Sequence, residues 1–143
     1  MKEQCILGML YEIDAISEEF IEARLRAEHV PILHKHIPLF FILPEDGSPV
    51  LFNEIASEWK ISKSSLSNIL DKYEMQGLIE KDFTCEDRRC VRIRMKPEAA
   101  AVKMKLQKME AEFLDIMMHG FSKEERKKLE QNIEEILKNV TEG

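Results

Sequence analysis

After Gly77 the hydrophobic period of the chain switches from that of a helix to that of a strand, and this switch constrains the fold more than any other feature. Upstream, Leu66, Ile69/Leu70 and Tyr73 recur at three- and four-residue spacing, which predicts a helix from Lys63 to Gln76 with these residues inward. Ser62 stands where an N-cap oxygen belongs, and Gly77 where a left-handed C-terminal cap belongs. Downstream, Ile79, Lys81 and Phe83 alternate with Glu80, Asp82 and Thr84, and Val91, Ile93 and Met95 alternate with Arg92, Arg94 and Lys96. Cys85-Glu86-Asp87-Arg88-Arg89-Cys90 separates the two runs, so the pattern predicts a hairpin with a charged tip. A shorter helix, about Leu51 to Trp59 with Phe52, Ile55, Ala56 and Trp59 on one face, comes just before, and Lys60-Ile61 turns the chain between the two helices.

The flanks read as long helices. From about Lys2 to Glu28, Ile6, Met9/Leu10, Ile13, Ile16, Phe20 and Ala23 form an apolar stripe too long for a small domain to cover by itself. His29 to Lys35 is a connection, and a short buried helix carries Ile37 to Leu43, with Pro38 tolerated in its first turn. Pro44-Glu45-Asp46-Gly47-Ser48-Pro49 is a loop. Pro97 opens a helix to about His119, ended by Gly120. Ser122-Lys123-Glu124-Glu125 has capping-box spacing with Phe121 as a staple, and a last helix carries Leu129, Ile133, Ile136/Leu137 and Val140. The expected fold class is mainly α with a small β-hairpin wing. Its segments are 1–35 (dimerisation helix and connection), 36–96 (a winged helix-turn-helix) and 97–143 (two further dimerisation helices).

Composition narrows the function. A chain of 143 residues, 44% hydrophobic and 34% charged, is a globular, helix-rich domain. The longest apolar run, Ile37 to Leu43, is about a third of a membrane span, and no stretch of signal-peptide length opens the chain. Three cysteines make no disulfide framework, so the expected compartment is the reducing cytoplasm and a membrane partner is not expected. Five glycines fall into no GxGxxG, GxxxxGKS or GxSxG pattern, so an enzyme is not expected and no cofactor is implied. The net charge is −6, yet Lys60 to Lys96 holds nine Lys/Arg against six Asp/Glu. A locally positive module on an acidic frame suits a DNA-contacting element, since phosphate attraction is screened beyond about 8–10 Å.

The physics of each part suits duplex DNA. A helix fits the major groove, and the short polar side chains of Ser64, Ser65, Ser67 and Asn68 can approach base edges. Helix N-terminal amides and the helix dipole favour a phosphate near Ser62 to Ser64. An extended hairpin can lay Arg88 or Arg89 into the adjacent minor groove.

Ile61 to Tyr73 with Gly77-Leu78-Ile79-Glu80-Lys81 closely resembles the recognition helix of the MarR family of bacterial transcriptional regulators, and Asp87-Arg88-Arg89 followed by Val91, Ile93 and Met95 resembles that family's Asp-x-Arg wing. The resemblance covers essentially the whole chain and is sharpest from Phe52 to Lys96. It implies a homodimer, built by the first and the last two helices, that presents two recognition helices about 34 Å apart to a pseudo-palindromic operator. It further implies Ser64, Ser65, Ser67 and Asn68 as groove contacts, Lys63 and Lys72 as phosphate partners, and Arg88 and Arg89 as wing contacts, with Asp87 organising the wing. Two departures stand out. Asn68 replaces a commonly basic residue, which favours adenine over guanine, and Met95-Lys96-Pro97 replaces the usual end of the wing. Repression is the family's commoner mode. The competing reading, which rests on the acidic net charge and on Asn68, is a winged-helix protein-interaction module without DNA affinity.

Regulators of this kind respond to an effector, and three are weighed. A small-molecule pocket lined by Met9, Ile13, Phe40, Met109 and Phe113 is the first. Redox sensing at Cys5, with Tyr11 beyond it, is the second. Strand parity sets Cys85 and Cys90 on opposite faces, so no bridge is expected across the hairpin. Metal sensing by His29, His34 and His36, with Glu22 and Glu28 near, is the third, but no metal-ligand spacing supports it and no metal site is assigned.

Overall fold

The computed structural model describes residues 5–83 and 90–143. In chain order the elements are α1 (Ile6–Ala27), a 3-10 turn (His34–His36), α2 (Ile37–Ile42), β1 (Val50–Leu51), α3 (Phe52–Trp59), α4 (Lys63–Met75), β2 (Ile79–Asp82), β3 (Arg92–Met95), α5 (Pro97–Met117) and α6 (Lys123–Glu142). The mainly helical fold with a small antiparallel sheet is the expected one. Two compact units divide after Glu110, within α5.

The first unit holds the core. Leu39, Phe40, Leu43, Ile55, Leu66, Leu70, Tyr73, Ile93 and Ala99 are fully buried there, drawn from α2, α3, α4, the sheet and α5. The 3.6-residue pattern of α4 sets its faces: Leu66, Leu70 and Tyr73 are buried, Ile69 packs partly against the core, and Ser67, Asn68 and Asp71 face outward. Both ends of α4 are closed locally. The Ser62 hydroxyl accepts from the Ser65 amide at 3.1 Å, and Gly77, at φ 74°, lets the Leu78 amide reach the Tyr73 carbonyl at 3.0 Å.

The hairpin pairs Ile79 with Met95, Glu80 with Arg94, Lys81 with Ile93 and Asp82 with Arg92. Sequence reading missed the third strand, β1, which pairs Val50 with Ile93 and Leu51 with Arg92 and gives the order β1-β3-β2. Two residues are too few for a period-2 signal, and Leu51, expected at the start of a helix, is the last strand residue and N-cap of α3. The turn after α3 is also unexpected in detail. Lys60 takes the left-handed region at φ 59°, ψ 43°, where a glycine would fit without strain.

The start of α1 is corrected. Cys5 is extended, at φ −95° and ψ 161°, and its sulfur accepts from the Gly8 amide at 3.3 Å, so the helix begins at Ile6 rather than near Lys2. At the other end His29, at φ 54°, closes α1 with the Val30 amide on the Leu25 carbonyl at 2.9 Å. Of the α1 residues only Leu25 is buried; Ile6, Leu7, Leu10 and Tyr11 stay 53–77% exposed.

The second unit comprises the end of α5 and α6. The capping box is complete: the Glu125 amide reaches the Ser122 hydroxyl at 3.1 Å and the Ser122 amide the Glu125 carboxylate at 2.9 Å. Arg126 meets Asp115 at 3.3 Å and Glu130 at 3.6 Å. No residue of α6 is buried, and its apolar row, Ile133, Ile136, Leu137 and Val140, is 50–71% exposed.

Candidate nucleic-acid interface

Buried anchors hold α4 in place. Tyr73 is fully buried, and its phenol oxygen takes the Leu33 amide at 3.3 Å and lies 2.7 Å from His36 Nδ1. His36 in turn meets the ring of Trp59 edge-on, at 6.4 Å between centroids, so α3, α4 and the 3-10 turn converge on one imidazole. Burial first, then the charges of Lys72 and Lys35, push the His36 imidazole below its ordinary range. The ring is therefore neutral at neutral pH, which leaves Nδ1 to accept the Tyr73 hydroxyl proton. Burial pushes the Tyr73 phenol up, consistent with a neutral donor. His36, weighed in the sequence as a metal-sensing candidate, is instead a core residue whose ring meets Trp59 and Tyr73 edge-on.

On the opposite side of α4, Ser62, Lys63, Ser64, Ser65, Ser67 and Asn68 are all exposed and Lys72 is half-buried. The serines are not equivalent. The Ser62 hydroxyl donates to Ser65 Oγ at 2.8 Å while accepting from the Ser65 amide, so these two act first as helix-end groups. Ser67 and Asn68 are left to face outward without a side-chain bond among the described residues. The Lys72 ammonium stands over the Tyr73 ring, 5.5 Å from its centroid, so a cation–π contact holds this side chain against α4.

The root of the hairpin is tied to α4. Lys81 on β2 forms an ion pair with Asp71 and lies 3.7 Å from Glu74, with its side chain mostly covered. This residue was missed as a site element because its strand period marks it only as inward. Arg94 crosses to Asp82 at 3.1 Å. Arg88 and Arg89, and with them Asp87 and Cys85, lie outside the described residues, so the parity argument on a Cys85–Cys90 bridge does too; Cys90 is half-buried.

The effector candidates are scattered in kind. Phe40 and Met109 are fully buried core residues, whereas Met9 and Ile13 are about 40% exposed. Phe113 is half-buried in the second unit. Cys5, just before α1, and Tyr11, on it, are both exposed. The first unit does carry a cleft of about 750 Å³, but Glu18, Glu22, Arg26, His34, Lys35 and Lys72 line it with several apolar residues of the connection, and none of the five expected pocket residues does. The three histidines part company. His29 caps α1, His36 joins Tyr73, and His34 faces Glu18 and Glu22.

A capped helix with an exposed polar face, preceded by a short helix and braced by a three-stranded hairpin sheet, defines a winged helix-turn-helix. Solved structures with this fold include MarR, at 18% identity over 99% of this chain and 95% of that chain, with a TM-score of 0.83. A MarR transcriptional regulator from Methanosarcina mazei Go1 follows it at 16% identity, 96% of each chain and a TM-score of 0.82. Streptococcus pneumoniae FabT, in a structure with DNA, matches at 17% identity, 96% of each chain and a TM-score of 0.80. At these identities the likeness defines the fold. No protein-family model matches the chain. No curated protein matches it either. No helix among the described residues is long and apolar enough to cross a membrane.

Proposed function

We propose that the protein is a dimeric, sequence-specific DNA-binding transcriptional regulator that acts as a repressor and is released by an effector. The observation that carries the reading is the exposed polar face of α4, bounded by the Ser62 cap and braced from behind by Tyr73 and from the side by Lys81. Ser64, Ser67 and Asn68 read the major groove, while Ser62, Ser65, Lys63 and Lys72 sit toward phosphates at the helix N-terminus and along its flank. Arg88 and Arg89 enter the minor groove. The likeness in fold to FabT, whose structure contains DNA, supports this placement. The exposed apolar rows of α1 and α6 support a homodimer, since water-facing stripes of this length are covered in a stable assembly. The effector is taken to be a small molecule.

Fluorescence anisotropy against a duplex selected from a random library tests the reading, run across a salt series. Saturable, salt-steep binding that is lost in Arg88→Glu/Arg89→Glu supports it. A folded, dimeric protein that selects no duplex from the library is instead a protein-interaction module.

A further inference from the structure

We propose that Glu18, Glu22 and His34 form a binding site for a first-row divalent cation of the zinc class. The two glutamates are one turn apart on α1, so their carboxylates share a face. His34 comes from a different element, the 3-10 turn, brought back against α1 by the reversal at His29. One ligand atom from each of the three lies within 4.8 Å of the other two. Three atoms so spaced share a point within about 2.8 Å of each, so bonds of about 2.0–2.2 Å need side-chain movements of under about 1 Å.

Two observations set this group apart from an ordinary acidic surface. His34 Nδ1 lies 3.8 Å from Glu18 Oε1, too far to hydrogen-bond but near the edge length of a coordination shell. The half-buried Glu22 carboxylate has no hydrogen-bond or ion-pair partner among the described residues, although Arg26 and Lys35 line the same cleft. The backbone around the ligands is already fixed: the Val30 amide holds the Leu25 carbonyl at 2.9 Å, the His36 amide holds the Leu33 carbonyl at 2.9 Å, and the Leu33 amide holds Tyr73 at 3.3 Å. An ion would therefore meet a placed imidazole and two carboxylates whose mutual repulsion it relieves. Water from the cleft fills the remaining positions. An imidazole with two carboxylates suits zinc, cobalt and manganese rather than the all-oxygen cages of calcium.

Cobalt(II) is the probe, because its visible d–d bands report ligand number and type. Titration of the full chain should give saturable binding, one ion per chain, with no thiolate charge-transfer band, and a rise in Tm with cobalt concentration. Glu22→Gln and His34→Ala should each weaken binding about tenfold or more, while His119→Ala leaves it unchanged. Circular dichroism checks that each variant is folded; all three positions are at least partly exposed, so each substitution spares the core. The absence of saturable binding would overturn the proposal. So would a thiolate band, affinity untouched by both substitutions, or equal loss in His119→Ala. None of these readouts involves DNA, so failure here leaves the regulator reading standing.

Discussion

His36 Nδ1 and the Tyr73 phenol oxygen are 2.7 Å apart in the core, and the same oxygen receives the Leu33 amide. Through this pair the exposed face of α4 is referenced to the connection that follows α1. Tyr73→Phe removes one atom and strands two polar groups, at about 1–3 kcal/mol. Urea denaturation at neutral pH should show that loss as a lower midpoint at unchanged slope. An unaltered midpoint would mean that water replaces the hydroxyl.

If α4 meets DNA as proposed, its exposed residues should separate by the kind of binding they serve. Lys63→Ala should weaken every duplex alike and reduce the slope of log K against log salt by about 0.9. Asn68→Ala should cost about 1–3 kcal/mol on the selected duplex and little on random sequence. Competition anisotropy distinguishes the two, and equal losses on both duplexes for Asn68→Ala would remove it from base readout.

Lys60 takes the left-handed region at φ 59° with no glycine to ease it. Lys60→Gly relieves the contact of Cβ with the backbone, offset in part by glycine's freedom in the unfolded chain. A net gain of about 0.5–1 kcal/mol is expected, and Lys60→Ala should give none. Thermal unfolding of the three proteins decides; a lower Tm for the glycine variant would refute the account.

In α6 the Ser122 amide, with its hydroxyl, holds the Glu125 carboxyl below the usual carboxylate range. A folded value lowered in this way means that the cap's contribution is present above the unfolded carboxyl's range and disappears as pH falls through the lowered value. Carbon-13 titration should place the Glu125 midpoint below that of a glutamate in an unstructured peptide, and amide exchange at the start of α6 should accelerate in the same acid window. Coincident midpoints would show the box to be open in solution.

If the apolar rows of α1 and α6 are covered by a second copy, a charge placed in either should split the assembly. Leu10→Glu and Leu137→Glu, at positions 53% and 59% exposed, should retain helicity and shift the mass by light scattering from dimer to monomer. A parent protein that is already monomeric would refute the dimer.

What the sequence made legible was local. Ser62, Gly77 and the Ser122–Glu125 box are chemistry between residues three to five apart, and each closes as its residue types require. The inward face of α4 followed from its period alone. The parts that were not legible depend on distant partners. Nothing in a two-residue run announces β1, which exists because β3 offers it a free edge. Burial of His36 needs Trp59 and Tyr73, and the role of Lys81 needs Asp71 ten residues earlier. The histidines of the connection looked alike in composition, yet geometry gave each a separate task.

Because Leu51 ends a strand and caps a helix at once, no slack separates the sheet from α3. The Phe52 amide, the first of that helix, is bonded to Val91 at the foot of β3 at 2.8 Å. Together with the Lys81–Asp71 pair, this makes the hairpin's foot and the two helices one stiff lever. A torque applied at the hairpin is carried to α3 with little damping. Lengthening the chain between Leu51 and Phe52 would uncouple them, whereas the Pro44–Pro49 loop, which lies before the joint, should absorb inserted residues.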